Sequence, residues 1–300
     1  MTDLNNVVLH INGLTKNYNG MRALDDLHLD VYRGEVFGYL GPNGAGKTTT
    51  IRMLLDLIRP TSGSATIFGL DANKDSVKVH SRLGNLPGEL ALYEHMTGWE
   101  LIRYLGGLRG GIDEEYVKEL ASRLEMDMTR KVKACSSGMK RKLGLIQGLM
   151  HRPELLIFDE PTMGLDPLVQ QTFYQLMREV SNAGTTVFMS SHHLQEVEHV
   201  CDRVGILAKG KLVTVAHISE LKKVRFRWMT LHLSEAPNLA DFETIPGVSD
   251  ITLHNGTLRM RLSGEIDPVI KAAARYHVTD MTYQEPNLEE IFLQYYGEEA

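Results

Sequence analysis

Hydrophobic and polar residues alternate along positions 7–11 and 27–31, the two-residue period of half-buried strands. "EVFGYL" at 35–40 is largely apolar and runs straight into a glycine-rich turn, which reads as a buried strand. From Thr48, "TTTIRMLLDLI" takes helical spacing and stops at Pro60, and "SGSATIFG" returns to a strand. Between about 95 and 150 the period is helical, in "GWELIRYLGGL", "DEEYVKELASRLEM" and "KRKLGLIQGLMHR". "ELLIFDEP" and "TTVFMSSH" are short apolar strands flanking a helix, "VQQTFYQLMREVSN". Strands alternating with helices predict an α/β fold with a mostly parallel, doubly wound sheet. The helical block reads as an insertion into that sheet.

The pattern changes after about residue 222. "RFRWMTLHL" alternates as a strand, "NLADFETIPG" reads as a short helix, and "VSDITLHNGTLRMRLSG" is a hairpin turning at Asn255-Gly256. "DPVIKAAARYH" and "VTDMTY" follow as helix and strand, completing a βαββαβ order that suggests a small ferredoxin-like α+β domain. A last helix, "LEEIFLQYY", comes after it. The expected organisation is a first domain over 1–221, with a helical subdomain at about 85–150, and an accessory domain over 222–300.

Composition narrows the class. The 300 residues are 43% hydrophobic and 23% charged, ordinary for a soluble protein with a sizeable core. A net charge of −6 argues against nucleic acid as the main partner. Two cysteines, Cys135 and Cys201, imply no disulfide framework and fit a reducing compartment. The N-terminus lacks the pattern of a secretory signal. No apolar stretch approaches the about 20 residues of a membrane span, so work at a membrane needs another chain to supply the spans.

Three short motifs carry chemistry. "GPNGAGKT" at 41–48 matches G-x-x-x-x-G-K-[ST] and lies between a strand and a helix. Glycines there turn backbone N–H groups onto phosphate oxygens, and the following helix adds its positive end. Lys47 is then the cation for the β- and γ-phosphates and Thr48 a ligand of Mg2+. "LLIFDE" at 155–160 ends an apolar strand in two carboxylates. Asp159 can hold Mg2+, and Glu160 can take a proton from the attacking water or orient it. Two adjacent acids at a buried strand end repel unless a cation sits there. "SSHHLQEVE" ends the next strand, and His192 at its tip can reach a γ-phosphate.

Phosphate loop, helical insertion, "CSSGMKRKLGLIQGLMHRPELLIFDEPTMGLDP" and "SSHHLQEVEHVCDRV" together resemble the nucleotide-binding subunit of an ATP-binding cassette transporter, over about residues 5–220. The resemblance implies a P-loop NTPase core with an antiparallel N-terminal β-subdomain. It implies ATP and Mg2+ as cofactors, with the ATP contacted by Gly41, Pro42, Asn43, Gly44, Ala45, Gly46, Lys47, Thr48 and Thr49. Glu160, His192 and Lys47 take the catalytic roles, and Thr48 and Asp159 the metal. The family's signature is usually L-S-G-G-Q; here it reads Cys135-Ser136-Ser137-Gly138-Met139. Ser136 and Gly138 keep the hydroxyl and the helix-start N–H that a γ-phosphate needs. Ser137 replaces Gly, and Met139 removes the Gln side chain. Tyr18 sits where the family stacks an aromatic ring on adenine, and Asp166 in the loop that meets the opposite subunit. Cys135 has no Cys or His at metal-ligand spacing and reads as a packing residue. Lys140, Arg141 and Lys142 read as the solvated or phosphate-facing start of a helix.

One element departs from the family. A Gln between phosphate loop and signature usually contacts Mg2+ and water, yet residues 60–134 contain no Gln. The matching position is Gly88, with Glu89 beside it as the nearest substitute. The resemblance further implies a second cassette subunit, a homodimer, with two ATP molecules sandwiched between signatures and phosphate loops. It implies a separate transmembrane permease, transport in the export direction, and a peripheral place on the cytoplasmic face of the cell membrane. Leu92, Tyr93 and Trp99 form a candidate docking surface for the permease. The tail resembles those of bacterial drug, antibiotic and polysaccharide exporters. Two alternatives compete. A soluble cassette acting on nucleic acid or ribosomes should carry a second cassette or a long coiled coil, and neither is visible. A P-loop kinase leaves the signature and the acid pair unexplained.

Overall fold

In the computed structural model, which describes residues 6–221 and 226–284, the two alternating N-terminal segments extend into long strands, β1 (Val7–Tyr18) and β2 (Met21–Tyr32). The turn between them places Asn19 and Gly20 at positive φ, the geometry that matches the twist of a hairpin. Next come β3 (Val36–Leu40), α1 (Lys47–Leu54), β4 (Ser62–Ile67) and β5 (Leu70–Asp71). β4 and β5 join the hairpin in an antiparallel sheet of order β2-β1-β4-β5.

The chain continues through α2 (Ser76–Ser81), β6 (Leu83–Leu86), α3 (Gly98–Gly107), α4 (Glu114–Arg123), α5 (Ser137–Leu149) and β7 (Leu155–Asp159). It then forms α6 (Pro167–Asn182), β8 (Thr186–Ser191), α7 (Leu194–Val200), β9 (Arg203–Ala208) and β10 (Lys211–His217). The main sheet has the order β10-β9-β3-β8-β7-β6, parallel from β9 to β6, with β10 antiparallel at the edge. Every residue of β3, β7 and β8 is buried, as central strands covered on both faces must be. Ile51, Met53 and Leu54 of α1 pack in one core with Leu14, Leu24 and Leu27 of the antiparallel sheet and Phe37, Tyr39 and Phe188 of the main sheet. Phe37 and Phe188 stack at 5.9 Å between ring centroids, and truncating such a ring costs about 3–5 kcal/mol. The phosphate loop therefore leaves a rigid strand and enters a helix wedged into the core.

The helical period read from about 95 begins at α3, and the stretch at the expected subdomain edge near 85 is strand. Residues 85 and 86 belong to β6, a strand that pairs in parallel with β7, and the first helix of the block is α3. α3 opens with a reciprocal capping box: Glu100 N donates to Thr97 Oγ1 and Thr97 N to Glu100 Oε2. Asp113 caps α4 and Ser136 caps α5.

The chain divides into two compact units, Met1–His217 and Ile218–Ala300. The second contains α8 (Ile218–Leu221), β11 (Arg227–Leu233), α9 (Ala240–Glu243), β12 (Val248–His254), β13 (Thr257–Leu262), α10 (Asp267–Ala273) and β14 (Val278–Gln284). Its antiparallel sheet of order β12-β13-β11-β14 is the ferredoxin-like arrangement. The inward residues Met229, Leu231, Leu258 and Met260 pack with Phe242 and Val269 of its helices. Asn255 and Gly256 both take positive φ in the hairpin turn, as the Asn-Gly pair requires. The last helix expected, 288–296, lies outside the described residues. No helix among the described residues is long and apolar enough to cross a membrane.

Candidate functional site

The site forms where three parallel strands end side by side. β3 delivers the phosphate loop, β7 delivers Asp159 and Glu160, and β8 delivers Ser190 and Ser191 with His192 just beyond. Gly46 immediately precedes α1 with φ 111°, a left-handed conformation, and a Cβ there would lie 2.6 Å from the carbonyl oxygen of Ala23. α1 has neither a side-chain cap nor an acidic residue in its first turn. Its first N–H groups and its positive end are thus left for an external anion.

Lys47 is 6% exposed and donates from Nζ to the carbonyls of Gly41 at 2.6 Å and Pro42 at 3.3 Å. The same ammonium stands 3.3 Å from Glu160 Oε1. His192 Nδ1 lies 2.8 Å from Glu160 Oε2, so the carboxylate is held on both oxygens by groups from two other elements. Glu160 itself takes φ 50°, sparsely populated for a residue with a Cβ, and this strain turns the strand end into the following loop.

Asp159 is 2% exposed, and each of its oxygens has a donor. Thr48 Oγ1 donates to Oδ2 at 2.7 Å and Ser190 Oγ to Oδ1 at 2.5 Å, while Ser190 Oγ accepts from Glu160 N at 3.0 Å. The adjacent acids thus coexist because one is hydrogen-bonded and the other meets Lys47. The Thr48–Asp159 pair presents hard oxygen donors. Among the described residues no cluster of three or more His, Cys, Asp or Glu side chains could hold a metal ion alone. A cation that takes few protein ligands and completes its shell with water and phosphate oxygens fits this donor set, and Mg2+ is such an ion.

The fold thus brings Lys47, Thr48, Asp159, Glu160 and His192 together. It does not bring the signature to them: among the described residues, Ser136, Ser137 and Gly138 make no hydrogen bond to residues 41–49. Ser136 and Ser137 are exposed at the start of α5, and Ser136 Oγ accepts from Met139 N at 3.3 Å as the cap. Gly138 packs against the loop after Glu160, where a Cβ would come 2.6 Å from the carbonyl oxygen of Gly164. Asp166, at the end of that loop, is exposed and caps α6 by accepting from Val169 N, which holds its carboxyl below the usual range. Tyr18 ends β1, the residue 43% exposed and Lys16 Nζ 5.1 Å from the ring centre. Cys135 is half-buried, its Sγ 3.5 Å from the carbonyl of Lys131.

The basic cluster corrects an expectation. Lys140 is half-buried and pairs with Glu94, but Arg141 and Lys142 are buried at 3% and 9% exposure. Helix periodicity turns them inward, and Arg141 donates from Nη1 to Pro87 O and from Nη2 to Gly88 O. Glu89 is exposed and makes no hydrogen bond or ion pair among the described residues. Gly88 is the residue against Asp159. Two further groups escaped the sequence reading. One is Ser190, signalled by serines in an otherwise apolar strand. The other is Glu196, 3% exposed and accepting from Ser191 Oγ, whose burial pushes its carboxyl above the usual range.

Comparison with known proteins agrees with this geometry. The profile of the ABC transporter family matches residues 24–163, and an AAA-domain profile matches residues 129–198. The linearmycin resistance ATP-binding protein of Bacillus subtilis is 32% identical over 97% of this chain and 98% of its own length. The bacitracin transport ATP-binding protein of Enterococcus faecalis is 33% identical over 97% of this chain and 96% of its own. A solved ATP-binding subunit of an ABC transporter superposes with a TM-score of 0.66 at 28% identity, covering 72% of this chain and 92% of that one. A phosphate loop, an acid pair and a histidine at adjoining strand ends, with likeness along nearly the whole chain, make one conclusion: the protein belongs to the ATP-binding subunits of ABC transporters, a family of ATPases.

Proposed function

We propose that the protein hydrolyses MgATP between two copies of itself and uses the cycle to drive export through a separate transmembrane permease. The observation that carries this reading is the double hold on Glu160, by Lys47 on one oxygen and His192 on the other, beside the Thr48–Asp159 pair. Residues 41–49 cradle the phosphates with backbone N–H groups, and Lys47 neutralises the β- and γ-oxygens. Tyr18 stacks on the adenine. Thr48 and Asp159 would hold Mg2+, which would supply charge neutralisation for the phosphates. Glu160 takes a proton from the water that attacks the γ-phosphorus as the bond to the ADP oxygen breaks. His192 keeps that carboxylate aimed.

Ser136, Ser137 and Gly138 are exposed or half-exposed at a helix start and, among the described residues, make no hydrogen bond to residues 41–49; they serve the nucleotide of the second copy, with Asp166 at the same face. Tyr93 and Tyr104 meet edge to face at 5.5 Å and are both exposed, as is Leu108, an apolar surface suited to a permease loop. The subunit then sits peripherally on the cytoplasmic face of the membrane. The relatives named for linearmycin resistance and bacitracin transport point to antibiotic-like compounds as the exported class. Phosphate release by Glu160→Gln tests the chemistry. It should fall at least ~100-fold with ATP still bound, the range for loss of a general base. Turnover near the parent rate overturns the role of Glu160.

A further inference from the structure

The parallel pairing of β6 with β7 sets Leu86 opposite Phe158, so the chain leaving β6 at Pro87 and Gly88 runs beside Asp159. The approach is close: a Cβ on Gly88 would lie 3.0 Å from Asp159 Oδ2. That oxygen is the one that accepts from Thr48. The wall of the metal side is therefore backbone, in a segment where no Gln occurs between residues 60 and 134.

What holds this wall in place is Arg141. Its guanidinium spans two successive carbonyls, Nη1 to Pro87 O at 2.8 Å and Nη2 to Gly88 O at 2.9 Å. The planar fork gives each carbonyl its own nitrogen at a fixed spacing, where a lysine in its place would offer a single nitrogen on a flexible stem. Arg141 is 3% exposed, so the contact is desolvated. Asp159 and Glu160 both stabilise its charge against the cost of burial. It belongs to the first turns of α5, whose start is Ser136 and Ser137.

We infer that Arg141 is a positioning residue that sets the Gly88 backbone against Asp159 and thereby ties the place of the signature helix to Mg2+ binding at Thr48 and Asp159. This rests on the proposed reading of the nucleotide site. A shift of α5, such as contact with a second copy would impose, reaches the Pro87 and Gly88 carbonyls through the Arg141 guanidinium, beside the packing of Gly144 on Leu86 and Leu90.

The test titrates full-length protein with trinitrophenyl-ATP, once in EDTA and once in Mg2+. In Arg141→Lys, affinity in EDTA should match the parent, while the tightening produced by Mg2+ falls about tenfold, the low end of what outer-layer partners of metal sites cost. Gly88→Ala leaves Arg141 untouched and places a methyl group against Asp159 Oδ2. It should show the same loss, and it decides the matter if Arg141→Lys does not fold. Parent-like tightening in the variants overturns the inference. A parent protein that Mg2+ does not tighten at all overturns the nucleotide-site reading first.

Discussion

Lys47 Nζ stands 3.3 Å from Glu160 Oε1, joining the cation of the phosphate loop to the second acid of the β7 strand end. One residue thus serves two ends of the proposed chemistry, the phosphates and the base. Lys47→Ala removes charged hydrogen bonds worth about 1.5–3 kcal/mol each, so ATP affinity should drop at least ~10-fold in calorimetric titration. An unchanged affinity contradicts the role of Lys47.

Ser190 deserves the same scrutiny because it serves both acids at once, donating to Asp159 and accepting from Glu160 N. Ser190→Ala leaves a buried carboxylate oxygen and a backbone N–H without that partner. The cost should be about 1–3 kcal/mol, seen as a lower unfolding temperature. Equal unfolding temperatures mean other groups replace the hydroxyl.

Gly138 is set by space. With the Gly164 carbonyl 2.6 Å from where a Cβ would sit, Gly138→Val must push α5 away from the loop that ends at Asp166. Overpacking of this kind costs about 1–3 kcal/mol, and chemical denaturation should report it. A variant as stable as the parent contradicts the close packing of these two segments.

Glu196 gives a pH dependence. Burial raises its folded pKa above the unfolded value, so the folded state binds the proton more tightly. Its favourable contribution is present below the unfolded pKa and is lost as pH rises through the folded pKa. Glu196→Gln mimics the protonated form. Its unfolding temperature should exceed the parent's at pH 7–8, with the difference shrinking toward pH 4. A difference that grows on acidification reverses the sign and contradicts the assignment.

Much of this architecture is legible because local and tertiary signals agree. The apolar run before "GPNGAGKT", the acid pair after "LLIF" and the Asn255-Gly256 turn each have one cheap backbone solution. β6 was hidden because "LGNL" is four residues long with Gly and Asn at its centre, poor strand formers. Pairing with β7 makes it a strand, and Gly84 is there because a Cβ would meet the Gly148 carbonyl of α5 at 2.1 Å. Arg141 was hidden by its neighbours, since a basic triplet looks solvated. Its spacing to Leu145 and Gly148 on the buried side of α5 was the available clue. The convergence of Lys47, Glu160 and His192 could be anticipated from strand ends, but the Ser190 and Gly88 contacts depend on register and close approach, which no local pattern encodes.

Two copies that close on ATP through the signature must double in mass when ATP binds. The direct measurement is the mass in solution of Glu160→Gln by light scattering, with and without MgATP, alongside the same variant carrying Ser136→Arg. Expected are a monomer without nucleotide, twice that mass with MgATP, and no such dimer once Ser136 is replaced. A monomer with MgATP, or a dimer indifferent to Ser136→Arg, contradicts that closure.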